Sequence, residues 1–139
     1  SIQAAAGGLP VSMSPDAISS ALKALGDIRR IAVITPYLPV GDNTVSRFFT
    51  ESGYDVVGIQ GLGARSPAQI SHISERKLRD AIRSVDRPDV EAIVQVGTNA
   101  EAWVEKPVIS SNAALYWHAL RGAGVTDRVR GWGTLFSHC

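Results

Sequence analysis

Five residues carry most of what chemistry this chain could perform: Thr35 and Tyr37 in "TPY", and Gly97, Thr98 and Asn99 in "VQVGTN". Each group follows a run of apolar residues, where a strand hands the chain to the surface. Gly61-Leu62-Gly63 and Ser110-Ser111-Asn112 stand in the same kind of place. All four sets offer hydroxyls, amides and glycines and almost no charge. Backbone N–H groups at a helix start, joined by Thr and Ser hydroxyls, suit a carboxylate, because helix-end dipoles stabilise an anion without burying a countercharge. A small carboxylate is the expected ligand. The same residue types also serve routinely as N-caps, and for Thr98, Asn99, Ser111 and Asn112 the residues alone leave the two readings level. Tyr37 follows a proline at a strand end, where its hydroxyl could donate into a cleft, although a tyrosine packed over a loop is the commoner case.

Other chemistries find little support. "GLGARSP" (61–67) lacks the third glycine of a dinucleotide fingerprint and is not the first strand-to-helix turn of the chain. His72, His118 and His138 have no metal-ligand spacing, so no metal is expected, and His118 reads as a helix-surface residue. The lone cysteine, Cys139, excludes an internal disulfide framework. It lies in the terminal segment, with nothing cationic expected near it to lower the pKa of its thiol. An N-terminal nucleophile at Ser1 is far less expected than an ordinary chain end.

The elements that must position these residues follow from the pattern. Apolar runs alternate with amphipathic stretches, the signature of parallel strands joined by helices. Strands are expected at 9–13, 29–36, 54–63, 89–97 and 106–111, and helices at 14–26, 43–53, 74–85, 99–106 and 112–124. Ser14 reads as an N-cap with Pro15 at the first helical position, and "YLPVGDN" (37–43) reads as a loop. In the last helix Ala113, Trp117 and Leu120 share one face, and 125–139 reads as an extended tail. The fold class is therefore α/β: three layers, with a mostly parallel sheet and helices on both faces, whose ligands lie outside the carboxyl ends of the strands.

With 139 residues, 45% hydrophobic and 19% charged at a net charge of +1, the chain has the size and composition of one globular unit. No basic excess points to nucleic acid, and no apolar run approaches a membrane span. Cytoplasm is the default location. "SIQAAAGG" (1–8) reads as the last turn of a helix, which suggests a piece of a longer protein.

Several motifs together carry a resemblance: "RIAVITPYLPVGDNTVSRFFTESGYDVVGIQGLG", "DVEAIVQVGTN", "KPVISSNAALYWHALRGAG" and "GWGTLF". In order and spacing they resemble the second half of the maleate cis-trans isomerase and arylmalonate decarboxylase group of the Asp/Glu racemase superfamily. "TPYLPVGDN" and "VQVGTN" look closest to the maleate-isomerase-like proteins of ectoine utilisation. The resemblance implies two similar α/β halves with the active site between them. Residues 1–26 would end the first half, 27–124 would form the second, and 125–139 would be a C-terminal tail. A missing N-terminal half or a partner chain would complete the site, and a homo-oligomer is expected.

Family enzymes use no cofactor and no metal; they work with cysteine thiols at strand ends. The second-half cysteine matches position 97, which is Gly97 here. A glycine can neither attack nor carry a proton, so two-thiol racemisation is not expected, and no catalytic residue is assigned within this chain. The resemblance leaves Tyr37, Thr35, Gly97, Thr98 and Asn99 as substrate-binding groups. The implied function is a cofactor-independent isomerase-like enzyme acting on a small dicarboxylate. A carboxylate-binding accessory protein and an arylmalonate-decarboxylase-like lyase are the alternatives.

Overall fold

The computed structural model describes residues 14–96, 106–128 and 134–139. Four strands form one parallel sheet: β1 Arg30–Thr35, β2 Asp55–Gly61, β3 Ala92–Gln95 and β4 Val108–Ser110. Their order across the sheet is β2-β1-β3-β4. The helices are α1 Ser14–Ala24, α2 Pro39–Glu51, α3 Pro67–Ser71, α4 Glu75–Val85, α5 Ser111–Gly122 and α6 Thr134–His138.

The central strand explains the layering. Ile31, Ala32, Val33, Ile34 and Thr35 are all buried, so β1 is covered on both faces, as a sheet between helix layers requires. Ile31 and Val33 face a core shared with Ala17, Ala21 and Leu22 of α1, Phe49 of α2 and Ala114 and Trp117 of α5. Ala32 and Ile34 face the second core, with Ala81, Ile82 and Val85 of α4. Each fully buried Ile, Leu or Val contributes roughly 1.5–3 kcal/mol of transfer free energy, so both layers hold the sheet. The three-layer α/β architecture is the one expected.

Local chemistry sets most helix boundaries. Leu78, Ala81, Ile82 and Val85 recur at helical spacing on α4, and Ser74 caps it by accepting from the Lys77 N–H at 3.2 Å. In α5 Trp117 is buried as expected, with Leu120 and Ala113 packed at the margin of the core. The expected strands are trimmed by one to three residues at their ends. The strand at 9–13, most of the helix at 99–106 and residues 129–133 of the tail lie outside the described residues.

Two expectations are corrected, and one helix is added. The "YLPVGDN" loop is mostly helix, because α2 begins at Pro39, whose fixed φ suits the first helical position behind an extended Leu38. A short helix, α3, falls within 64–73, to which no element was assigned; Ser66 caps it by accepting from the Gln69 N–H. The last residues are not an extended tail: α6 forms there and buries Leu135 and Phe136 in the α1–α5 core. Two apolar side chains in succession gain more by docking than an exposed segment would.

Candidate functional site

A parallel sheet ordered β2-β1-β3-β4 reverses its winding between β1 and β3, and the crevice beyond the carboxyl ends of those strands is where such sheets bind ligands. β1 ends at Thr35 and β3 at Gln95, paired across to Ile34. Val96 continues the pairing by donating its N–H to the Ile34 carbonyl at 2.9 Å. Gly97, Thr98 and Asn99 follow it directly in the chain and lie outside the described residues.

The end of β1 is built in detail. Thr35 is fully buried, and its hydroxyl donates to the Asp42 carboxylate on α2 while its oxygen accepts from the Tyr37 N–H at 3.1 Å. The Tyr37 carbonyl accepts from the Gly63 N–H at 3.0 Å and the Pro36 carbonyl from the Ala64 N–H at 2.8 Å. The loop after β2 is thereby stitched to the "TPY" turn. Tyr37 itself is partly exposed at 37% and stands at the rim of a cavity of about 480 Å³. Ile18 of α1, Val45 and Phe48 of α2, Val96 and Ser111 also line this cavity. Its wall is mainly apolar, with a few polar groups at the strand ends, the usual make-up of a small-molecule site.

Two glycines make close approaches there. A β-carbon on Gly61 would lie 2.2 Å from the Asp42 Oδ2, so the Asp42 carboxylate occupies the space a side chain at the end of β2 would fill. A β-carbon on Gly41 would lie 2.6 Å from the Tyr37 Cβ, so Tyr37 packs directly on the α2 backbone. Asp42 sits in the first turn of α2, where the helix dipole favours its negative charge.

The fourth set behaves differently. The Ser110 hydroxyl accepts from the Ala113 N–H at 3.1 Å and caps α5, so the cap is Ser110 and neither Ser111 nor Asn112. On the other face of β3, the Gln95 side chain is buried and its Oε1 has no hydrogen-bond partner among the described residues.

Cys139 is partly buried and its Sγ lies 3.5 Å from the Ala24 carbonyl. Cations do approach it, contrary to expectation: the Arg121 Nε donates to the Cys139 carbonyl at 3.2 Å, and the charges of Arg121 and Arg128 favour the thiolate. Burial outweighs them and pushes the thiol pKa up. A protonated thiol against a core helix is a poor nucleophile. Among the described residues, no group of three or more His, Cys, Asp and Glu could hold a metal ion. No helix among them is long and apolar enough to cross a membrane.

Fold and site together define an open-sheet α/β protein with a small-ligand crevice at its switch point, rimmed by a tyrosine. Comparison with known proteins narrows this class. The sequence pattern of the arylmalonate decarboxylase family matches residues 1–136, and the chain belongs to that family. It is 30% identical to the arylmalonate decarboxylase of Bordetella bronchiseptica over 141 residues, covering 93% of this chain and 58% of that protein. The fold is similar to the maleate isomerase Iso of Pseudomonas putida S16 with maleate, at TM-score 0.82 and 29% identity over 91% of this chain and 54% of that one. It is equally similar to the Nocardia farcinica maleate cis-trans isomerase with a covalently bound succinylcysteine intermediate, at TM-score 0.82 and 25% identity, with 91% and 55% covered. These relatives place the chain in the Asp/Glu racemase-like group, and it spans between half and three-fifths of their length.

Asp42 is the site residue that the strand-end reading misses. The signal for it is present in "TPYLPVGDN": proline as a helix starter puts Asp42 in a first turn, directly over the strand end it follows.

Proposed function

We propose that the full-length protein is a cofactor-independent, isomerase-like enzyme of the maleate cis-trans isomerase type, acting on a small dicarboxylate. This chain supplies one wall of the site. The supporting observation is the placement of Tyr37, held through its N–H by the Thr35 hydroxyl, at the rim of the switch-point cavity that Val96 also lines. In this reading Tyr37 donates to a substrate carboxylate, Gly97, Thr98 and Asn99 supply further donors, and Thr35 supports the group from below. A preorganised donor of this kind is worth about 3 kcal/mol of transition-state stabilisation.

The succinylcysteine intermediate of the Nocardia farcinica enzyme shows a cysteine thiol bonded to the substrate carbon in that protein. Gly97 offers no thiol and the partly buried Cys139 packs against α1 with its thiol pKa raised, so in this reading the nucleophile of the complete site comes from outside this chain, from an N-terminal half or a partner copy in a homo-oligomer.

A decarboxylase-like reading is favoured by one specific observation: the family pattern and the Bordetella bronchiseptica relative are arylmalonate decarboxylases. The same neutral donors would stabilise an enediolate left by loss of carbon dioxide. A carboxylate binder without turnover is the reading that Gly97 permits. Incubating the full-length protein with maleate and, separately, with phenylmalonate distinguishes all three. Fumarate from maleate supports the isomerase, carbon dioxide from phenylmalonate the lyase, and a rise in Tm with neither product the binder.

A further inference from the structure

We infer that Asp42 is a positioning residue for Tyr37, acting through the Thr35 hydroxyl; the inference rests on the reading that Tyr37 contacts the substrate carboxylate. A threonine hydroxyl has one proton and two lone pairs. At the end of β1 the proton goes to the Asp42 carboxylate and an oxygen lone pair receives the Tyr37 N–H at 3.1 Å. With its proton committed, the Thr35 hydroxyl cannot rotate to donate elsewhere, and its full burial keeps it from the ligand. The hydroxyl therefore fixes the Tyr37 backbone and has no donor left for substrate.

Asp42 holds this arrangement from a site shaped for it. Its carboxylate fills the space beside Gly61 that any side chain there would claim, since a β-carbon would come within 2.2 Å of Oδ2. A hydroxyl donating to an ionised carboxylate makes one of the stronger hydrogen bonds available to a side chain. The same turn of α2 brings Gly41 against the Tyr37 side chain, so one helix turn fixes both the amide and the ring of the tyrosine. A shift of about 1 Å in a substrate-positioning group costs on the order of 100-fold in rate, so the effect of Asp42 on turnover should be large although it touches no substrate.

The test uses the full-length protein labelled with 3-fluorotyrosine, with the Tyr37 resonance assigned by its loss in Tyr37→Phe. Asp42→Ala should move the Tyr37 resonance and lower kcat on maleate about 100-fold while KM changes little. Asp42→Asn keeps an oxygen that accepts from Thr35, so it should retain the wild-type resonance and most of kcat. If Asp42→Ala does not fold, Thr35→Val removes the hydroxyl at nearly constant shape and should move the same resonance. An unmoved Tyr37 resonance in a folded Asp42→Ala or Thr35→Val protein overturns the inference. So does Asp42→Asn behaving like Asp42→Ala, which would make the charge and not the hydrogen bond decisive. If the resonance moves but neither Asp42→Ala nor Tyr37→Phe alters turnover of maleate, the positioning stands and the contact between Tyr37 and substrate falls.

Discussion

β1 and β4 both end on a buried hydroxyl, Thr35 at 0% exposure and Ser110 at 1%, yet the two do different work. The Ser110 hydroxyl accepts from the Ala113 N–H and closes the first turn of α5. The Thr35 hydroxyl caps nothing. It spans from a carboxylate on α2 to the amide of Tyr37, two residues past its own strand. A strand-end hydroxyl is therefore not a binding group by position alone. What separates the two is the loop that follows: Ser110 runs straight into its helix, whereas Pro36, Tyr37 and Leu38 separate Thr35 from α2 and leave a turn that must be held.

Substitutions can break this contrast or sharpen it. The largest effect is expected at the rim: Tyr37→Phe in the full-length protein should lower turnover about 100-fold while changing Tm little, as measured by initial rates and thermal melting, because it removes one preorganised donor. Next comes Gly61→Ala, whose β-carbon would displace the Asp42 carboxylate from Thr35. It should cost roughly 1–3 kcal/mol in urea unfolding and reproduce the kinetic defect of Asp42→Ala. A normal rate in Gly61→Ala would show that Asp42 can leave Thr35 without consequence.

Ser110→Ala should be milder and of the opposite kind. Loss of an N-cap costs about 1 kcal/mol of stability, and turnover should stay near wild type. A large kinetic defect there would erase the difference between the two strand ends.

The smallest effect lies at the amino-terminal ends of β1 and β3, away from the site. Glu91 accepts from the backbone N–H groups of Arg30 at 2.7 Å and Arg29 at 3.0 Å, and these bonds hold its pKa below the usual 4.5. A depressed carboxylate pKa stabilises the fold above the unfolded value, and that stability is lost as pH falls through the folded one. Glu91→Gln should therefore flatten the acid limb of the stability profile below about pH 4.5 and leave neutral-pH turnover unchanged, as followed by urea midpoints across pH.

Much of this fold was legible because its signals are local. The apolar run within 29–36 marked a buried strand, the amphipathic stretch at 74–85 marked a helix, and the helices expected over 14–26 and 43–53 close at Gly26 and Gly53 in left-handed backbone. The start of α2 was misplaced because "VGDN" reads as turn chemistry, and the proline before it decides otherwise. The helix at the chain end was missed because Leu135 and Phe136 are too short a run to show periodicity; only a core waiting for them makes them helical. At the site, Tyr37 was legible from its place after a strand. The proline of "TPYLPVGDN" marks Asp42 as a first-turn residue, but its bond to Thr35, seven residues back across a turn, shows only in the fold, where the hydrogen bond and the close approach at Gly61 place its carboxylate.

The most direct test of the proposed function is a time course of chelator-treated full-length protein with maleate, followed by proton NMR. Fumarate should accumulate without added cofactor, and Tyr37→Phe should slow its appearance about 100-fold. Maleate that raises the Tm of the wild-type protein but is never converted would rule out the isomerase.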